Sequence, residues 1–215
     1  DKQLETLHIE LIKMGSLCEE AISLAVKMLG DGEASLSDRI HAAEAEIDRE
    51  EREIENICMR LLLRQQPVAR DLRNISAALK MISDMERIGD QAADIAELAP
   101  YIVRFNFQGK VHIVDMARAT VAMVTDSVEA FVKGDLNLAR RVMKDDDRVD
   151  ALFEQIKNEL MKVIARGDMD AKASIDLLMA AKYFERIGDH AVNVAEWVEY
   201  SITGVHAGGE ESPQM

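Results

Sequence analysis

Aromatic residues are scarce in this chain, only 4% of 215, with a single Trp. Strands draw on aromatic and β-branched side chains, so the deficit weighs against a sheet-based fold. Proline occurs three times, which leaves long stretches with nothing to break a helix. Basic residues are short as well: 26 Lys and Arg stand against 40 Asp and Glu, a formal charge of −14. That balance argues against nucleic acid as a partner and against an electrostatic grip on anionic lipid, and it suits metal cations or a basic patch on a protein. The two cysteines, Cys18 and Cys58, form no CxxC pair; they are expected to be core thiols in a reducing compartment. No uncharged apolar run approaches the roughly 18 residues of a membrane span, and no signal-peptide pattern opens the chain, so a cytoplasmic protein without direct membrane insertion is expected. GxxxxGK[ST], GxSxG and HExxH are all missing, so NTPase, hydrolase and zincin readings have no support, and no enzyme is expected.

What is present is helical periodicity. Leu4, Leu7, Leu11, Met14, Leu17, Ala21, Leu24 and Met28 trace one apolar stripe that ends at "GDGEAS" (30–35). A second stripe through Ile40, Ile47, Ile54, Ile57 and Leu61 stops at "RQQP" (64–67), because Pro67 ends one helix and can open the next. A third helix runs from about Val68 past Ile95, with Pro100 expected to kink or end it. "FNFQGK" (105–110) reads as a linker. Three more helices follow, through Val114–Val128, Leu136–Ile164 and Ala171–Ile202, separated by "KGD" (133–135) and "RGD" (166–168). The tail from 205 to 215 is polar and glycine-rich and is expected to be disordered.

The halves repeat. "ERIGDQAADIAE" (86–97) and "ERIGDHAVNVAE" (185–196) agree at eight of twelve positions at an offset of 99. A period of this kind signals a duplicated supersecondary unit. The expected fold is all-α, with six helices in two tandem, pseudo-symmetric three-helix bundles, residues 1–104 and 111–204, placed end to end.

The repeated motif carries local penalties. A mid-helix glycine costs about 1 kcal/mol against alanine, and acids at i and i+4 repel by a few tenths of a kcal/mol. The preceding helix of each half carries its own acid pair, Glu44/Asp48 and Asp146/Asp150, related by an offset of 102. Antiparallel neighbours bring positions equidistant from their turn side by side. The pairs Glu44/Asp48 and Glu86/Asp90 centre on 46 and 88, whose midpoint is Pro67. The pairs Asp146/Asp150 and Glu185/Asp189 centre on 148 and 187, whose midpoint falls in "RGD". Four carboxylates should therefore lie level in each half. Asp94 and Asn193 extend each oxygen-bearing face by one turn. Arg49, Arg87, Arg148 and Arg186 lie next to acids in sequence and are expected to project to another side. The glycines leave room for an ion or for a close helix.

A single ExxxD on a helix is commonly a solvated face, but four pairs at matched heights point to cations. Oxygen-only ligands favour Mg²⁺, Ca²⁺, Mn²⁺ or iron; zinc would call for His or Cys, and neither recurs. Two other readings stand beside this one. A di-iron oxidoreductase would need two Glu-x-x-His motifs, and only Glu5/His8 offers one. A metal-free helical adaptor would use the acids as surface. His8, His41, His112 and His206 read as surface or capping residues.

On its twin "ERIGD" motifs, its four acid pairs and "QQPVARDLR" (65–73), the chain resembles the PhoU family of phosphate-signalling proteins over nearly its whole length. The resemblance implies multinuclear metal clusters at E(D)xxxD motifs, with iron first and Mg, Mn, Zn or Ni as alternatives. The ligands carried over are Glu44, Asp48, Glu86, Asp90, Asp146, Asp150, Glu185 and Asp189. It further implies a negative regulator of phosphate uptake and of the phosphate-starvation response. Such a protein would link the ATPase subunit of a phosphate ABC transporter to a phosphate-sensing histidine kinase, with dimerisation of the chain itself expected through another face.

Overall fold

The apolar stripes become six long helices: α1 (Lys2–Asp31), α2 (Leu36–Gln65), α3 (Ala69–Ile102), α4 (Ile113–Lys133), α5 (Leu136–Ala165) and α6 (Ala171–Thr203). The computed structural model describes residues 2–33, 35–65, 67–104 and 111–206, so the linker 105–110 and the tail 207–215 lie outside the described residues. Helix ends follow local chemistry. The Asp135 carboxylate accepts the Leu138 N–H at 3.0 Å and the Asp170 carboxylate accepts the Lys172 N–H at 2.6 Å, satisfying orphan donors at the starts of α5 and α6. Gly134 and Gly204 close α4 and α6 in the left-handed region, at φ of 63° and 80°. Pro100 lies within the last turn of α3, which ends two residues later at Ile102.

The halves do not stand end to end. α3 packs along α6 and α1 packs along α4, so the two three-helix units lie side by side. α2 touches only α1 and α3, and α5 only α4 and α6, among the described residues. α1, α3, α6 and α4 thus pack as a closed ring of four helices, with α2 and α5 on opposite flanks. The reason is hydrophobic. α3 and α6 carry apolar residues on more than one face, and Met81, Met85, Ile88, Phe184, Ile187 and Ala191 are all completely buried. A helix that is apolar around most of its circumference must be covered on several sides. One continuous core therefore spans both halves, and each large side chain in it adds about 1.5–3 kcal/mol of burial. α3 and α6 run antiparallel: Asp84 lies opposite His190, and the Arg73 Nε donates to the Ser201 carbonyl at 3.4 Å. Cys18 and Cys58 are buried and free, with burial pushing the Cys58 thiol up to about 12. His8 is not a surface residue; it is half-buried, packs edge-on against Phe131 at 5.6 Å between ring centroids, and burial lowers its pKa. No described helix is long and apolar enough to cross a membrane.

Candidate metal centre

In each half the acid pairs face one another across a groove between the second and third helices. The levels match the turn arithmetic. Ile47, between Glu44 and Asp48, packs on Gly89, between Glu86 and Asp90: a Cβ at Gly89 would stand 2.8 Å from Ile47 Cδ1. In the second half, a Cβ at Gly188 would meet Asp146 Oδ1 and Val149 Cγ1, each at 3.4 Å. Gly89 therefore serves a close helix contact, with Ile47 lying over its bare backbone, whereas at Gly188 the neighbouring Val149 and Asp146 stand at ordinary contact distance. That contact holds the flanking carboxylates level.

The acids crowd one another. Burial raises the Glu86 carboxyl above its usual range, and Asp90, Glu51 and Asp48 add to the rise. Burial raises Asp90 too, opposed by Arg87 and reinforced by Glu44 and Asp48 on α2. In the second half, burial with Asp150, Asp189 and Glu185 pushes Asp146 up to about 6. Burial and Glu185 raise Asp189. Like charges in a half-dry groove disfavour each other's ionised form. Asp94 is raised by burial and by Glu97, Asp90 and Glu44; it also feels Arg186 of α6, so it borders both the groove and the α3–α6 seam. Asn193 lies on that seam: its amide donates to Asp84 Oδ1 at 3.0 Å, beside the His190 Nδ1 bond to the same oxygen at 2.9 Å.

The arginines behave unequally. Arg49 turns to Glu46 at 2.7 Å, away from the pairs. Arg87 does not project elsewhere; its long stem curls back to 3.7 Å from Glu86 and 3.8 Å from Asp90. His41 bonds Glu44 at 3.1 Å. Sequence reading missed Glu51, which accepts from Ser83 Oγ at 3.4 Å across the first groove; its place one turn beyond Asp48 was the available signal. It also missed Lys182, which pairs with Glu185.

The donor set fits hard or intermediate cations. The sharpest sign is Asp146 Oδ1, a buried carboxylate oxygen that accepts no hydrogen bond. A cation is one partner that would satisfy such an acceptor. The carboxylates line the grooves without converging: among the described residues no three His, Cys, Asp or Glu side chains are gathered to hold one ion. Gathering them around one ion would require side-chain rotation.

A duplicated all-α protein with a carboxylate-lined groove in each copy is the class that fold and site define. The chain matches the PhoU domain twice, at residues 11–99 and 113–198, and belongs to the PhoU family. It is 38% identical over 209 residues to the phosphate-specific transport system accessory protein PhoU homolog of Clostridium acetobutylicum, covering 95% of this chain and 94% of that one. The Escherichia coli accessory protein PhoU is 29% identical over 219 residues, covering 99% and 90%. Among solved structures, PhoU from Pseudomonas aeruginosa superposes with a TM-score of 0.87 at 32% identity, covering 95% of this chain and 99% of that one. The regulatory protein PhoU from Streptococcus pneumoniae reaches the same TM-score at 23% identity and supports the fold alone. These names describe accessory proteins of a transport system, not enzymes, in agreement with the sequence reading.

Proposed function

We propose that this protein is a cytoplasmic accessory regulator of phosphate uptake. It restrains the phosphate-starvation response by linking the ATPase subunit of a phosphate ABC transporter to a phosphate-sensing histidine kinase. The observation that carries the transport role is likeness over nearly the whole chain to proteins named as accessories of the phosphate-specific transport system. We further propose that Glu44, Asp48, Glu86 and Asp90 hold cations in one groove and Asp146, Asp150, Glu185 and Asp189 in the other, iron first among the candidates. Asp94 is an outer ligand of the first groove; Asn193 becomes one only by leaving Asp84. Bound cations would supply positive charge that neutralises the crowded carboxylates. The chain's own contribution is to hold those carboxylates level by packing Ile47 on Gly89 and Val149 on Gly188. The unpartnered Asp146 oxygen supports this assignment. We propose that the chain self-associates through a face other than the grooves.

Two measurements test the reading. Deleting the gene should derepress starvation genes in high phosphate; continued repression with normally controlled uptake refutes the regulatory role. Elemental analysis of protein purified without added salts should find metal, and metal-free protein that still restores repression refutes a signalling role for the cations.

A further inference from the structure

The two grooves differ at one pair of facing positions, one turn before each "ERIGD". The repeat offsets set Glu51 against Phe153 and Ser83 against Lys182. In the first groove the Ser83 hydroxyl donates to Glu51 at 3.4 Å, which seats a further carboxylate beside Glu86 and Asp48. In the second groove that carboxylate is replaced by the Phe153 ring. Lys182 stands 5.4 Å from the ring centroid and pairs with Glu185, whose side chain is only 16% exposed. Lys157 approaches the same ring at 5.5 Å. An ammonium held at once by a carboxylate and an aromatic face is anchored on two sides.

The cations near the first groove are of another kind. Arg52 stands 3.9 Å from Asp48, and Arg87 at 3.7 and 3.8 Å from its acids, all beyond ordinary hydrogen-bonding distance, and both side chains are more than 60% exposed. Exposed pairs of this geometry contribute little and yield readily to water or to an ion.

Resting on the cation-binding reading above, we infer that the two grooves are unequal cation sites: Glu51 adds a ligand to the first, whereas Lys182 is a built-in counter-cation that holds Glu185 and weakens the second. A divalent ion entering the first groove meets at Glu51 a carboxylate offset only by the Ser83 hydroxyl and the field of the exposed Arg52. An ion entering the second must first displace an ammonium from Glu185 and from the Phe153 ring.

The test uses Mn²⁺ as the probe on EDTA-stripped, dialysed full chain, with free Mn²⁺ counted by electron paramagnetic resonance and heats by titration calorimetry. Wild type should show two classes of site. Lys182→Ser, which installs the first half's residue, should tighten the weaker class by about fivefold or more and leave the stronger class unmoved. Glu51→Gln should weaken only the stronger class. Glu86→Ala with Asp90→Ala should remove the stronger class, assigning it to the first half. Melting by circular dichroism without Mn²⁺ shows that each variant is folded, and Lys182→Ser should melt lower there because Glu185 loses its counter-ion. The inference is overturned if Lys182→Ser leaves the weaker class unchanged, if the double variant removes the weaker class, or if wild type binds Mn²⁺ in a single class. Wild type that binds no Mn²⁺ in either groove overturns the cation reading itself.

Discussion

The motif glycines allow a sharp test, because the structure predicts opposite outcomes for the same substitution in the two copies. Replacing a mid-helix glycine by alanine gains about 1 kcal/mol from backbone entropy. At Gly188 the new methyl would meet Asp146 Oδ1 and Val149 Cγ1 at 3.4 Å, ordinary contact distance, so the gain should survive. At Gly89 it would stand 2.8 Å from Ile47 Cδ1, inside van der Waals contact, and Ile47 is only 1% exposed, with little space into which to turn. Overpacking of this sort costs about 1–3 kcal/mol, which leaves Gly89→Ala a net loss of about 1 kcal/mol. For a chain of this size each kcal/mol moves Tm by about 2–4 °C. Thermal unfolding in EDTA should therefore show Gly89→Ala falling by roughly 2–4 °C and Gly188→Ala rising by a similar amount. Ile47→Val removes the offending Cδ1, so a double-mutant cycle with Gly89→Ala should show a favourable coupling of about 1 kcal/mol. Equal shifts of the same sign in both single variants, or no coupling in the cycle, would refute the account of why glycine stands in the motif.

Three further outcomes follow from the grooves and caps. Glu86→Ala with Asp90→Ala should remove metal from the first half only, and unchanged metal content on elemental analysis refutes the ligand set. Asp146→Asn should stabilise the metal-free protein at pH 8 by about 1–2 kcal/mol, by removing the cost of ionising a carboxyl pushed up to about 6, a cost that water around this half-exposed side chain lessens. The sign follows from the raised carboxyl: its folded-state penalty is absent below pH 4, grows as pH rises through about 6 and is complete above it. Melting curves in EDTA at pH 8 and pH 4 should therefore differ in the size of the gain. At the start of α4, burial would raise the Glu159 carboxyl, but hydrogen bonds from Gln155, from the His112 N–H at 2.9 Å and from the His112 ring bring it below its usual value. A depressed carboxyl adds stability above its unfolded-state pKa and loses it as pH falls through the folded value. Glu159→Gln should thus lower Tm at pH 7 and converge with wild type near pH 3.

Helix number and bounds were legible because six apolar stripes are each punctuated by glycine, proline or an acidic cap. The level of the acid pairs was legible because an antiparallel hairpin leaves the turn as the only free parameter. The side-by-side packing was not. A three-helix count says nothing about which faces of α3 and α6 remain uncovered, and only the burial of Met81, Met85, Phe184 and Ile187 together shows that these helices cover one another. Arg87 departs from its expected direction because the Cβ vector does not set the reach of a guanidinium; a long stem returns to the neighbouring face. Lys182 escaped notice because it sits outside the acid pairs and its effect depends on Phe153, a ring contributed by another helix.

The side-by-side arrangement also explains where the two copies have diverged. α3 and α6 pair antiparallel with each other, so each must present one face to its own groove and another to its copy. The acid pairs recur in both halves beside the packing of Ile47 on Gly89 and Val149 on Gly188, while Glu51 has Phe153 as its counterpart. Seam positions were free to become complementary instead of identical. Asp84 takes hydrogen bonds from His190 and Asn193, whereas the repeat-related positions are Tyr183, Gln91 and Asp94. Had the seam stayed symmetric, Asp84 would have a second acid as its copy, and Asp94 would have an acid at 193 beside Asp84 across a half-buried contact, where like charges are destabilising. Asn193 in place of an acid removes that repulsion and adds a donor to Asp84, beside the bond from His190. The departures from the repeat at 190 and 193 are therefore accounted for by the α3–α6 seam, and restoring the copy with His190→Gln and Asn193→Asp should lower Tm at pH 7 by setting a carboxylate against Asp84. An unchanged Tm in that double variant would mean that the seam hydrogen bonds contribute nothing to holding the halves together.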